Sequence, residues 1–211
     1  MSLFRLDASI LPGTSASAEL AGIIEADWIA ARPGATVVRR DLGSNPLPAD
    51  AWALAATAGY TPADARTPAQ REAVALAATL AAELADAEAV LLAVPLYNFG
   101  VSQHFKAWVD LVIAGAGPAA PVLKGKPTVL ATVRGGSYGP GTPRDGWDHS
   151  TPYLRRILVD VWEADLTIVE REFTLVGVNP ALDEFKDLAA RLHSEALDAA
   201  RDAAKALAAA S

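Results

Sequence analysis

Short apolar runs alternate along the chain with longer stretches in which apolar residues recur at helical spacing. Residues 89–94, Ala-Val-Leu-Leu-Ala-Val, are apolar throughout, the pattern of a strand buried on both faces of a parallel sheet. Residues 3–8, 36–41, 128–133 and 166–173 read as the other strands. Between them the pattern predicts helices over 15–31, 51–58, 67–85, 102–113, 151–162 and 181–209. The punctuation agrees. Thr67-Pro68 and Thr151-Pro152 put proline in a first helical turn, where its missing N–H removes no bond. Gly115-Ala116-Gly117-Pro118 is expected to break one helix, and Asn45-Pro46-Leu47-Pro48 marks a connection. Five strands alternating with helices specify an α/β fold with a parallel sheet. No repeat, linker or break in composition divides the chain, so one domain over residues 1–211 is expected.

Composition works mainly by exclusion. Hydrophobic residues make up 52% of the 211 positions and charged residues 20%, which specifies a globular chain with a real core. No apolar run approaches the about 20 residues of a membrane span. The start, Met1-Ser2-Leu3-Phe4-Arg5-Leu6-Asp7, lacks a basic segment followed by an apolar one, so a cytoplasmic protein is expected. Cysteine is absent, which removes disulfides, thiolate metal sites and cysteine nucleophiles. The net charge of −7 argues against a nucleic-acid partner, because phosphate binding needs clustered Lys and Arg. Neither G-x-G-x-x-G nor a Walker A pattern occurs, and no spacing of the three His with carboxylates makes a metal site.

Three loops at the carboxyl ends of the first, third and fourth strands carry the candidate chemistry, since ligands of open α/β sheets bind at that edge. After the first strand comes Ser9-Ile10-Leu11-Pro12-Gly13-Thr14-Ser15-Ala16-Ser17, whose hydroxyls and helix N-terminal N–H groups suit an anion. The plainer reading is an ordinary serine N-cap. Pro95-Leu96-Tyr97-Asn98-Phe99-Gly100 follows the third strand and offers flat surfaces and an amide, which suit a planar heterocycle. Its alternative is local packing, with Asn98 in a turn. After the fourth strand, Arg134-Gly135-Gly136-Ser137-Tyr138-Gly139 lets the backbone approach a ligand closely, or simply turn. Each loop alone is weak, and their convergence on one edge carries the inference.

Those residues resemble the flavodoxin-like FMN-dependent NAD(P)H:quinone oxidoreductases, above all the FMN-dependent NADH-azoreductases. The matches are Ser9 with Ser15-Ala16-Ser17, Pro95 to Phe99 with Lys106 and Asp110-Leu111, Arg134-Gly135-Gly136, and Thr151-Pro152-Tyr153-Leu154. Arg40-Asp41-Leu42 and Asn45-Pro46 extend the likeness, which runs from about residue 3 to 175. The resemblance implies a doubly wound sheet of order 2-1-3-4-5 and a homodimer with active sites at the subunit interface. It implies that Ser9, Ser15, Ala16 and Ser17 hold the FMN phosphate. Leu96, Tyr97, Asn98 and Phe99 would run along the isoalloxazine ring, and Val133, Arg134, Gly135 and Gly136 would close its pyrimidine side. NADH or NADPH would reduce the flavin, and a quinone or azo acceptor would then occupy the same face in a ping-pong scheme. No protein nucleophile is needed.

Some residues depart from the family pattern or stand outside it. Residues 114–124 form a shorter segment than in typical azoreductases, which bears on acceptor range. Tyr138 and Trp147 are substrate-side candidates from the long loop after the glycines, and Trp108 is a candidate dimer contact. Asp7 brings an unexpected negative charge close to the phosphate loop. Two other readings stand beside the reductase. One is an electron carrier that binds flavin without a pyridine-nucleotide site. The other is a serine hydrolase built on Gly135-Gly136-Ser137-Tyr138-Gly139, with Asp165 or Asp183 and His193 in chain order, although Pro140, Gly141 and Pro143 replace the helix that a nucleophile elbow requires.

Overall fold

The computed structural model describes residues 1–11 and 13–210; Pro12 of the first loop and Ser211 lie outside them. Its main strands are β1 (Ser2–Asp7), β2 (Thr36–Asp41), β3 (Ala89–Ala93), β6 (Pro127–Val133) and β7 (Asp165–Arg171). They form one sheet in the order β2-β1-β3-β6-β7, with every neighbouring pair parallel. Counting only these five, the order is the 2-1-3-4-5 that the resemblance implies. A two-stranded antiparallel ribbon, β4 (Leu96–Tyr97) with β5 (Gly100–Val101), leaves the end of β3.

Among the described residues six α-helices cover the sheet: α1 (Ala16–Ala31), α2 (Ala51–Ala58), α3 (Pro68–Asp86), α4 (Gln103–Ala116), α5 (Thr151–Arg155) and α6 (Lys186–Ala210). Alternation along each strand divides the core in two. Phe4, Leu6, Val90, Leu92 and Leu130 point to the side covered by α2, α3, α4 and α5. Leu3, Leu91, Val129 and Val133 point to the side of α1 and α6. Every residue of β3 is buried because both of its faces are covered, which is why that strand reads as an unbroken apolar run.

Local chemistry sets the helix ends. Ser15 caps α1 by accepting the Ala18 N–H, and Thr67 and Gln70 form a reciprocal capping box ahead of Pro68. The helix expected to break at Gly115 continues to Ala116. A Cβ at Gly115 would stand 2.1 Å from the Ala77 carbonyl oxygen, so this glycine serves the close approach of α4 to α3. Gly117, at φ +104°, ends the helix, and its N–H donates to the Ile113 carbonyl at 2.8 Å. The continuous helix expected over 151–162 is instead α5 followed by a π-helical turn, Arg156–Val161. The long closing helix is preceded by a 3₁₀ turn, Pro180–Phe185, whose start is held by Asn179 accepting the Ala181 N–H. No helix is long and apolar enough to cross a membrane among the described residues.

Strand order reverses between β1 and β3, since their chain connections leave the sheet in opposite directions. The crevice beyond their carboxyl ends is therefore the place for a ligand.

Candidate functional site

A cavity of 630 Å³ opens at that crevice, a size within the range of small-molecule sites. Ser9, Thr14, Ser15 and Ala16 line it from the β1 exit, and Pro95 to Phe99 line it from the β3 exit. Val133, Gly135, Gly136 and Tyr138 come from the β6 exit. The structure thus brings the three loops of the sequence reading to one cavity. It adds residues that reading missed: Leu11, Arg144, and Thr174, Leu175 and Val178 from the loop after β7.

The first loop presents donors. Ser15 Oγ takes the Ala18 N–H at 3.3 Å and the Ser15 carbonyl takes the Glu19 N–H at 3.0 Å. Among the described residues nothing accepts from the N–H group of Ala16, which lines the cavity, so the positive end of α1 faces it with an open donor. Ser17 itself is fully buried and does not line the cavity; its hydroxyl pairs with Ser15 Oγ at 3.0 Å and orients it. The charge expected to trouble this loop is already matched. Arg5 Nε and Nη2 donate to the two Asp7 carboxylate oxygens at 2.8 and 2.9 Å.

The second loop is more ordered than a loop was expected to be. Asn98 and Phe99 are the two turn residues of the β4–β5 ribbon, with φ of +48° and +67°. Positive φ at both central positions is the geometry of a type I′ hairpin turn, usual for Asn but costly for Phe. Phe99 accepts that conformation and stands partly exposed at the cavity mouth. The Tyr97 hydroxyl crosses to the first loop, 3.1 Å from Ser9 Oγ and within 3.2 Å of the Ile10 N–H that donates to it. The buried Ser102 hydroxyl adds another tie, donating to the Ala8 carbonyl at 3.1 Å.

The third loop is held from behind. Leu175 N–H donates to the Gly135 carbonyl and Phe173 N–H to the Gly136 carbonyl, at 3.2 and 3.4 Å. The two glycine N–H groups have no acceptor among the described residues. A Cβ on Gly135 would stand 2.6 Å from Leu175 Cδ1, so the Leu175 side chain packs against bare backbone here and would have to shift to admit one. Arg134 departs from the role expected of it. Its guanidinium is buried away from the cavity, donating to Asp148, Thr151 and Glu170 at 2.8 to 2.9 Å. Its N–H and carbonyl are also engaged, with Arg171 and Thr174. Arg134 therefore braces the loop and offers a ligand nothing directly. Burial alone would raise the Asp148 carboxyl, but the N–H and hydroxyl of Thr151 and the Arg134 guanidinium outweigh it and hold it below the usual value.

Beyond the glycines, Glu172 clamps the loop tip by accepting the Ser137 hydroxyl at 2.6 Å and the Tyr138 N–H at 2.8 Å. Trp147 does not line the cavity wall. It lies edge-on to Phe99, with ring centroids 5.4 Å apart, while Tyr138 meets the same ring at 6.4 Å. The His149 N–H donates to the Phe99 carbonyl at 2.9 Å, tying this long loop to the ribbon. The hydrolase reading finds no support here: Ser137 is bonded to Glu172, and His193 Nε2 lies 2.9 Å from Glu19. Trp108, expected at a dimer contact, is buried in the core of its own chain. No group of three or more metal-ligating side chains occurs among the described residues.

The cavity therefore has hydroxyls and an open N–H group at one end, a flat apolar and amide wall in the middle, and open backbone donors at the other end. FMN fits that set: an anionic phosphate, a planar ring, and carbonyl and nitrogen ring edges. Comparison with known proteins agrees. The profile of the flavodoxin-like fold family matches residues 1–207. An FMN-dependent NADH:quinone oxidoreductase of Frankia casuarinae is 40% identical over 204 residues, covering 94% of this chain and 96% of its own length. Solved structures share the fold at lower identity. An azoreductase from Bacillus anthracis superposes with a TM-score of 0.76 at 22% identity, over 97% of this chain and 99% of its own. An FMN-dependent NADH-azoreductase from the same species, solved in complex with FMN, gives 0.76 at 15% identity, over 98% and 99% of the two chains. The chain belongs to the flavodoxin-like fold family and, within it, stands with the FMN-dependent NADH:quinone oxidoreductases.

Proposed function

We propose that this chain acts as one FMN-binding domain that transfers two electrons from NADH to quinones, and to azo compounds of similar shape. The observation that carries the reading is the pairing of open backbone donors at both ends of one cavity, at the reversal of strand order. The relatives' names supply the donor and the acceptor class.

Ser9, Thr14 and Ser15, with the N–H group of Ala16, would hold the phosphate at the N-terminus of α1, and Ser17 would orient Ser15 from behind. Leu96, Tyr97, Asn98 and Phe99 would form the wall along the ring. The Gly135 and Gly136 N–H groups would donate to the ring's carbonyl and nitrogen edge, with Val133 beneath it. When bound, FMN supplies the hydride chemistry, and the protein supplies position and electrostatics. The open N–H groups of the glycine loop would stabilise added electron density on the ring without reorganisation, as oxyanion donors do. Phe99, Tyr138 and Trp147 surround the mouth, where NADH and acceptor would follow one another on the same face. Ile10, Leu11, Leu175 and Val178 are exposed at or beside that mouth. This apolar rim supports a homodimer in which a second copy covers each site. FMN and NADH are pooled in the cytoplasm, where we place the protein.

The test is the absorbance of the purified protein with FMN, before and after anaerobic NADH. Flavin bands that bleach with NADH and return on adding a quinone are expected. Bound flavin unresponsive to NADH and NADPH would make the chain an electron carrier, and failure to bind flavin would overturn both readings.

A further inference from the structure

Arg144 is the one charged residue lining the cavity among the described residues. The acidic side chains of its own loop are otherwise engaged. Asp145 accepts the Gly141 N–H at 3.3 Å, and Asp148 holds Arg134 together with the Ser150 and Thr151 N–H groups. The guanidinium instead rests on an aromatic ring, with Cζ 5.6 Å from the Tyr138 centroid. Its Nη1 lies 2.8 Å from the point where a Cβ on Gly136 would stand, so the bare backbone of Gly136 leaves room for it beside the loop's open donors. Among the described residues Arg144 forms no ion pair and no side-chain hydrogen bond.

An unneutralised cation facing an otherwise uncharged cavity is conspicuous in a chain of net charge −7. It concentrates anions at the mouth. A guanidinium is planar, weakly hydrated and carries paired donors that match the oxygens of phosphate, sulfonate or carboxylate. The Tyr138 ring beside it limits its freedom. We propose that Arg144 is a specificity residue that receives the anionic oxyacid group of the molecule entering the cavity. That group is either a phosphate of the dinucleotide donor or an acid substituent on the acceptor. The inference rests on the reductase reading above.

The experiment uses the FMN-loaded protein as wild type, Arg144→Gln and Arg144→Lys. Two quinones of one skeleton are compared, 1,4-naphthoquinone-2-sulfonate and its neutral 2-methyl counterpart. KM is measured for each and for NADH, and equilibrium binding of both quinones is followed without NADH by tryptophan fluorescence. Arg144→Gln is expected to weaken sulfonate binding relative to methyl by about tenfold, the scale of one charge-assisted hydrogen bond. Arg144→Lys should restore most of that ratio, and added salt should narrow it. A rise in KM confined to the sulfonate assigns the acceptor's acid group, and one confined to NADH assigns the dinucleotide phosphate. A rise in both assigns the shared face, and all three support the proposal. No change, or an equal loss for the neutral quinone, the sulfonate and NADH, overturns it. A wild type that never oxidises NADH would sink the reductase reading instead, while the fluorescence ratio would still report on Arg144.

Discussion

Two aromatic clusters among the described residues share residue types and ring spacing but differ in exposure. Phe4, Phe105, Trp108 and Trp162 pack between the sheet and α4, all fully or almost fully buried, with neighbouring ring centroids 5.3 to 6.2 Å apart. Phe99, Tyr138 and Trp147 meet at similar spacings, 5.4 and 6.4 Å, but at the cavity mouth, where Trp147 is 51% exposed. The first cluster removes its surface from water when the chain folds. The second leaves its surface wet and holds Phe99 in an unfavourable backbone region. Ring contacts alone therefore do not distinguish core from site; exposure and backbone cost do.

Substitution should separate the two clusters most widely at Trp108. Trp108→Ala is expected to cost about 3–5 kcal/mol in urea unfolding, the range for emptying a large buried aromatic site. Trp108→Phe should cost much less, because the indole N–H of Trp108 has no hydrogen-bond partner and its removal leaves nothing unpaired. A small loss in Trp108→Ala would mean that this cluster is not the core anchor its burial indicates. Phe99→Gly sharpens the contrast from the other side. Asn-Gly is the favoured pair for this turn, so stability should not fall and should rise by up to about 1 kcal/mol, while FMN affinity weakens. A marked loss of stability would show that Phe99 serves the fold. The smallest effect is expected at Trp147→Ala: unfolding free energy unchanged within about 0.5 kcal/mol. Its KM for a neutral quinone should rise about two- to tenfold through the lost edge-on support of Phe99.

The parts of this architecture that sequence exposes are those governed by local pattern. β3 is legible because a strand covered on both faces must be apolar at every position. Ser15, Thr67 and Pro68 reveal their helix starts because capping is a matter of a few neighbouring residues. The three cavity loops follow from strand order, since parallel strands put their exits on one edge. What stays hidden depends on distant partners. Gly115 reads as a helix breaker until Ala77 is seen against it. Arg134 reads as a ligand until Asp148, Thr151 and Glu170 are found around its guanidinium. Leu175 and Val178 belong to the cavity through the β7 exit, the strand exit the sequence reading left unused. The apolar run 175–178 after that strand was the available signal. Arg144 left none, because an isolated arginine in a Gly- and Pro-rich loop has no pattern to betray its direction.

The Tyr97 hydroxyl bridges the loop after β1 and the ribbon after β3. With the Ser102–Ala8 bond, it holds the two segments to each other. Their ordering entropy is lost when the chain folds, so a ligand spanning both ends does not lose it again on binding. Phenylalanine at this position would keep the ring wall and still cut that link. The tyrosine joins the two halves of the site into one preorganised unit.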